Sequence, residues 1–149
     1  MNKRPLIIVA DADSIVAQAV ASDSNHQLTL DLAQKLADEG AHILFPATAI
    51  AEAITTLQRK FSNPQLAVLT LELFTDDSIS IENVDQEVIC EAKKLFDPEA
   101  SKKNTLFDCI VATVAKIHKA DAIFSLDDWY GKLGFKLVSE LKFLAPLDK

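Results

Sequence analysis

The sequence predicts an α/β fold built on a mostly parallel sheet. Short runs of branched and aromatic residues, typical of buried strands, alternate with longer stretches in which apolar residues recur every three or four positions. This alternation implies crossover helices, which join parallel strands. About half of the 149 residues are apolar, which suffices for one substantial core. We therefore expect a single domain over residues 1–149.

The elements follow one another in a regular order. Four strands are predicted over residues 6–10, 42–45, 122–124 and 135–138, with a fifth candidate over residues 79–81. Six helices are predicted over residues 14–21, 28–39, 47–61, 64–74, 86–96 and 105–119. Gly40 is expected to end the second helix, and Pro46 is expected in the first turn of the third. Asn63-Pro64 separates the third helix from the fourth, and Asn104 is the predicted N-cap of the last.

Charge and composition exclude several classes of protein. A net charge of −7 argues against a protein that binds nucleic acid through a broad basic surface, although ions held by carboxylates can still attract a phosphodiester. No glycine-rich phosphate loop is present. The apolar runs are too short to span a bilayer and no secretory signal fits, so we expect a cytoplasmic protein without membrane contact. Cys90 and Cys109 lack metal-ligand spacing and are expected to be reduced core residues.

Four acidic residues occupy unusual positions. Asp11 and Asp127 each follow an apolar strand, at the sheet edge where α/β proteins bind ligands. Glu52 lies on a helix among alanines, which leave room for an ion, and Asp108 lies in the first turns of a strongly apolar helix. Plainer interpretations remain open: helix caps or turns for the aspartates and an ordinary surface position for Glu52. Asp13 fits a cap and a site equally well.

A parallel topology would bring these four residues to one edge of the sheet. Carboxylates gathered there repel one another unless a cation neutralises them. Oxygen ligands favour hard ions such as Mg²⁺ or Mn²⁺ over zinc, and the three histidines show no ligand spacing. The pattern therefore predicts a site for a divalent cation.

Four segments, taken in order, resemble those of PIN-domain nucleases, a group that includes VapC-type toxins. They are the strand that ends at Asp11, "PATAIAEAITTL" with Glu52, "LFDCIVATVAK" with Asp108, and "AIFSLDD" with Asp127. The resemblance implies a three-layer α/β/α fold in which these four residues bind one or two Mg²⁺ or Mn²⁺ ions, with Asp127 assisting and Ser125 orienting it.

The same resemblance implies a function and partners. It implies an endoribonuclease that cleaves single-stranded RNA, often as a homodimer, and that serves as the toxin of a toxin-antitoxin pair. An antitoxin would then mask the site through an apolar segment in a groove near the early helices. The chain departs from many relatives at Asp13, where they carry a small polar residue, and at Trp129 and Tyr130, where they carry Asp and Phe. These two aromatic residues are expected to stack on bases, to pack against a partner, or to bury a helix edge.

Two other functions stay open. "IIVADADS" also resembles the motif of haloacid-dehalogenase-type phosphatases, in which Asp11 would be the nucleophile and Asp13 the acid/base, with Asp127 and Asp128 holding Mg²⁺. That hypothesis leaves Glu52 and Asp108 without a role. The third is a PIN-like binding module that has little or no catalytic activity.

Overall fold

A parallel sheet forms the centre of the protein, for which the computed structural model describes residues 4–99 and 104–143. Its strands are β1 (Ile7–Ala10), β2 (His42–Pro46), β3 (Ser80–Glu82) and β4 (Ala122–Phe124), arranged in the order β3-β2-β1-β4. All three pairings are parallel, and Ile8 of β1 lies opposite Ile43 on one side and Ala122 on the other. The parallel sheet is confirmed, and the candidate strand at 79–81 is β3, shifted by one residue.

Helices connect these strands at the predicted places. They are α1 (Ala12–Ala19), α2 (His26–Asp38), α3 (Ala47–Arg59), α4 (Pro64–Leu73), α5 (Gln86–Lys93), α6 (Leu106–Ile117) and the short α7 (Trp129–Lys132). The helix α7 was not predicted. Gly40, with φ of +66°, ends α2 in a left-handed conformation that glycine adopts at little cost. Asn63 caps α4 by accepting a 3.0 Å hydrogen bond from Leu66 N.

The two faces of the sheet are covered by different helices. Val9 and Ile123 pack with residues of α5 and α6, whereas Ile8 and Phe124 pack with Leu36 of α2. Successive strand residues point to opposite faces, so one apolar strand supplies both cores. A third cluster packs α1 against α3 and α4. The predicted three-layer α/β/α architecture is confirmed.

The prediction of a strand over residues 135–138 was wrong. Leu137 forms only an isolated bridge with Ile123, and a 3₁₀ turn over Val138–Glu140 follows directly. The N–H of Leu137 donates to Glu140 Oε1 at 2.9 Å. Because the chain turns into this 3₁₀ helix at Val138, the ladder beside β4 does not continue beyond the single bridge.

Two local predictions also need correction. Thr105, rather than Asn104, is the N-cap residue of α6, and the Asn104 side chain instead donates to Asp127 Oδ2 at 3.0 Å. Cys109 is buried as expected, but Cys90 is exposed on α5. Within the described residues, no helix is both long and apolar enough to cross a membrane.

The topology gives the sheet one edge rich in carboxylates. The strands β1, β2 and β4 are parallel and end at the same edge, and they are followed respectively by Asp11, by α3 with Glu52, and by the loop with Asp127. The helix α6 precedes β4 and begins at this edge, which puts Asp108 in its first turn near the strand ends.

Candidate functional site

Asp11 joins the end of β1 to the start of α1. Its side chain is 4% exposed, and Oδ1 accepts a 2.7 Å hydrogen bond from the N–H of Ala12, which caps the helix. The other oxygen, Oδ2, accepts from the Tyr130 hydroxyl at 2.7 Å and lies 3.4 Å from Ser125 Oγ. Asp11 is therefore both the predicted helix cap and a member of a buried polar cluster.

Asp108 has a similar double role at the start of α6. It is 8% exposed, and Oδ2 accepts from the N–H of Thr105 at 2.9 Å. Oδ1 lies 3.3 Å from the Tyr130 hydroxyl. A carboxylate buried on this apolar helix needs partners, and a backbone N–H and a phenol provide them.

Tyr130 connects these two aspartates from within the core. Its side chain is fully buried, and its hydroxyl carries one proton, which the shorter distance directs to Asp11. Burial and the neighbouring carboxylates raise the pKa of Tyr130 far above its usual value, so the phenol stays protonated as a donor. Of the three interpretations offered for Tyr130, burial agrees with the structure, whereas stacking on bases and contact with a partner do not. In the sequence Tyr130 lies between Asp128 and Lys132, and no local pattern indicates a buried donor.

Glu52 lies on α3 and faces the same cluster. Partial burial, and then the charges of Asp108 and Asp13, raise its pKa from the usual value near 4.5 to about 7. Thr48 lies one turn earlier on α3, and its buried hydroxyl oxygen has no hydrogen-bond partner among the described residues. No sequence pattern singles out Thr48.

The loop after β4 contributes Ser125 and Asp127. Ser125 Oγ donates to Asp13 Oδ2 at 2.9 Å and accepts from the N–H of Asp127 at 3.0 Å. Asp127 is held by other donors, because Oδ1 accepts from Trp129 N and Oδ2 from Asn104 Nδ2. Ser125 therefore orients Asp13 directly, and it contacts Asp127 only through the backbone.

Acidic side chains gather in this cluster without a cationic partner among the described residues. The three ion pairs of the described residues are Arg4–Asp121, Lys94–Glu91 and His118–Glu82, none of which includes a site carboxylate. Burial raises the pKa of Asp11 and of Asp108, and Asp13 adds to the shift at Asp11. Across residues 4–99 and 104–143, no three acidic, histidine or cysteine side chains already form a ready-made ligand set.

Tyr130→Phe tests the hydroxyl that holds the cluster. It keeps the buried ring but leaves Asp11 Oδ2 with only the long contact to Ser125, so we expect the free energy of unfolding at pH 8 to fall by about 1–3 kcal/mol. Urea denaturation measures it. Thr113→Val is the control, since the buried Thr113 hydroxyl donates only to a backbone carbonyl. This variant should lower the free energy of unfolding by less than Tyr130→Phe does. Equal stability of Tyr130→Phe and wild type would show that this hydrogen bond contributes nothing.

The raised pKa of Glu52 predicts how stability depends on pH. Between about 4.5 and about 7 the folded chain binds more protons at Glu52 than the unfolded chain, so the free energy of unfolding falls as pH rises. Asp11, Asp13 and Asp108, whose pKa values are also raised, act in the same direction.

We expect urea denaturation from pH 5 to 8 with chelator present to show this fall, and Glu52→Gln to make it shallower. Glu91→Gln is the control, because Lys94 lowers the pKa of Glu91 and moves its titration below this pH range. An identical pH dependence for wild type and Glu52→Gln would contradict the prediction.

The comparisons with known proteins agree on one fold. A family model described as the PIN domain matches residues 8–136. Fourteen chains of solved structures match, among them Mycobacterium tuberculosis VapC20, described as a sarcin-ricin loop cleaving toxin. It shares 16% identity at a TM-score of 0.75, and the match covers 86% of this chain and 95% of VapC20. No curated protein sequence matches. Because the family model extends from β1 through α7 and includes every element that contributes to the site, the chain belongs to the PIN-domain family.

Proposed function

We propose that this protein is a metal-dependent endoribonuclease that cleaves single-stranded RNA. The observation that carries the proposal is the cluster of Asp11, Glu52 and Asp108, in which all three carboxyl groups have raised pKa values and none has a cationic partner among the described residues. Groups arranged in this way bind a cation in exchange for protons, and this arrangement is typical of functional sites.

The donor set suits Mg²⁺ or Mn²⁺. Its members are carboxylate oxygens, which these hard ions prefer, and no histidine or cysteine contributes to it. Asp11, Glu52 and Asp108 would be the principal ligands, while Asp127 would assist from the loop after β4. When bound, such an ion lowers the pKa of a coordinated water and offsets charge on a phosphate.

The chemistry needs no protein nucleophile. Water attacks phosphorus, the bond to the 3′ oxygen breaks, and the proton lost by water balances the one gained by the leaving oxygen. The products are a 5′-phosphate and a 3′-hydroxyl. Tyr130 and the backbone N–H groups of Ala12 and Thr105 position the two buried aspartates throughout, because each donates to one of them.

A phosphatase using Asp11 as its nucleophile has less support. Both oxygens of Asp11 accept hydrogen bonds, one from Ala12 N and one from Tyr130, and the carboxylate is almost fully buried. The PIN-domain family also accounts for Glu52 and Asp108 as site residues, whereas the phosphatase hypothesis leaves them without a role. The inactive binding module differs from the nuclease only in catalysis, so a cleavage assay decides between them.

Asp11→Asn and Asp108→Asn test the nuclease. Each keeps an oxygen that can accept the capping hydrogen bond but removes a charge, so we expect RNA cleavage with Mg²⁺ or Mn²⁺ to slow by at least about a hundredfold. The assay incubates a mixed RNA pool with the protein and sequences the cleaved ends. Asp85→Asn is the control, since Asp85 caps α5 away from the site. Cleavage that survives chelator, or that Asp11→Asn leaves unchanged, would refute the proposal.

We further propose that the protein is the toxin of a toxin-antitoxin pair and that an apolar segment of the antitoxin binds between α1 and α4. A groove of about 870 Å³ lies there, lined by Ile15 of α1, Phe45 of β2, and Leu69 and Leu73 of α4. Leu69 and Leu73 are 60% and 67% exposed, an unusual state for two leucines so close together. Glu72 and Asp76 also line the groove and would attract a basic side chain.

Co-expression with the neighbouring reading frame tests this partner. We expect the two proteins to co-purify, and Leu69→Glu to reduce the recovered partner at least about tenfold by burying a charge in an apolar contact. Leu71→Glu is the matched control, because Leu71 is exposed on the same helix but does not line the groove.

The homodimer implied by the resemblance stays a prediction. If Leu69→Glu instead turns a dimer into a monomer, the groove is a contact between copies and the antitoxin proposal fails.

A further inference from the structure

Asp13 is held in one orientation by two donors from the loop after β4. Its Oδ2 accepts from Ser125 Oγ at 2.9 Å and from the N–H of Leu126 at 2.8 Å. These bonds join the first turn of α1 to a segment more than a hundred residues away. The carboxylate is therefore fixed by the fold and does not point freely into solvent.

The second oxygen of Asp13 is buried and unsatisfied. Oδ1 has no hydrogen-bond partner among the described residues. Leaving such an atom unpaired is unfavourable, because it loses the hydrogen bonds that water would make with it. A cation would satisfy the oxygen directly.

Asp13 shares its surroundings with the other site carboxylates. Ser125 Oγ lies 2.9 Å from Asp13 Oδ2 and 3.4 Å from Asp11 Oδ2, so one hydroxyl contacts both carboxyl groups. The charge of Asp13 also contributes to the raised pKa of Glu52. Asp13 thus lies close enough to these groups to interact with them. A cation among Asp11, Glu52 and Asp108 would relieve the repulsion felt by Asp13 as well.

Asp127 differs from Asp13 in how its two carboxylate oxygens accept hydrogen bonds. Each of its oxygens already accepts a hydrogen bond, Oδ1 from Trp129 N and Oδ2 from Asn104 Nδ2. Asp13 instead uses one oxygen for anchoring and leaves the other without a partner. An anchored carboxylate with one free oxygen is pre-organised as a ligand, since little side-chain freedom is lost when the ion binds.

We propose that Asp13 contributes Oδ1 as a ligand to the cation site of Asp11, Glu52 and Asp108, and that it binds the ion more directly than Asp127 does. The inference rests on the proposed metal-dependent function and adds a ligand to that site. Ser125 then acts as a positioning residue, because its hydroxyl holds the Asp13 carboxylate.

Mn²⁺ titration followed by electron paramagnetic resonance tests this proposal without relying on activity. We expect Asp13→Asn to raise the Kd for Mn²⁺ at least about tenfold. Asp127→Asn should raise it by less, and Asp85→Asn should leave it unchanged. Asparagine can still accept from Ser125 and Leu126 through its one oxygen, so the variant should fold. Asp13→Ser removes the carboxylate in a second way and should weaken Mn²⁺ binding similarly.

Thermal denaturation separates a ligand from a structural residue. With chelator present, Asp13→Asn should be at least as stable as wild type, since it removes a buried charge that lies near other carboxylates. With Mn²⁺ present, its gain in Tm should be smaller than that of wild type. A Tm lowered equally with and without Mn²⁺ would show that Asp13 is only structural and overturn the inference.

Failure of the proposed function looks different. If wild type binds no Mn²⁺, the metal-dependent nuclease and the role of Asp13 fall together. If wild type binds Mn²⁺, and both Asp13→Asn and Asp13→Ser bind it equally well, the inference about Asp13 fails while the proposed function stands.

Discussion

The burial of several carboxylates at one edge of the sheet is the constraint on which the rest of the site depends. Asp11 and Asp108 are each less than a tenth exposed, and no ion pair of the described residues offsets their charge. Desolvation and mutual repulsion both oppose ionisation there. Uncharged donors hold the cluster together instead, namely the hydroxyls of Tyr130 and Ser125 and the backbone N–H groups of Ala12, Thr105 and Leu126.

Helix capping is how the fold accommodates this cluster. Asp11 uses one oxygen to cap α1. Asp108 uses one to accept from the N–H of Thr105, the N-cap residue of α6, so each carboxylate stabilises the start of its helix with one of its two oxygens. The other oxygen of each faces Tyr130. The same side chain thus serves the fold and the site, and an isosteric amide can keep the first role while it loses the charge that the second requires.

Sequence patterns predicted the sheet, the main helices and the edge at which Asp11, Glu52, Asp108 and Asp127 lie, because periodicity and strand direction are properties of local segments. Local sequence patterns did not predict contacts between distant segments. The bond between Tyr130 and Asp11 joins residues 119 positions apart, and nothing local in the chain indicates it. The strand expected over residues 135–138 has a suitable apolar pattern, but a turn competes with it, and the chain enters a 3₁₀ helix at Val138 after a single bridge to β4. Such competition is decided by tertiary structure.

Under the proposed function, the net charge of −7 makes the cation a condition for binding RNA as well as for cleaving it. Proteins that bind nucleic acid through lysine and arginine gain affinity by releasing counterions from phosphates. An acidic chain gains little in that way, and its buried carboxylates repel a phosphodiester at the place where it must lie. A divalent ion reverses the local charge at that place. Substrate binding and chemistry would therefore respond together to the same ion, and the metal-free protein would have little affinity for its substrate.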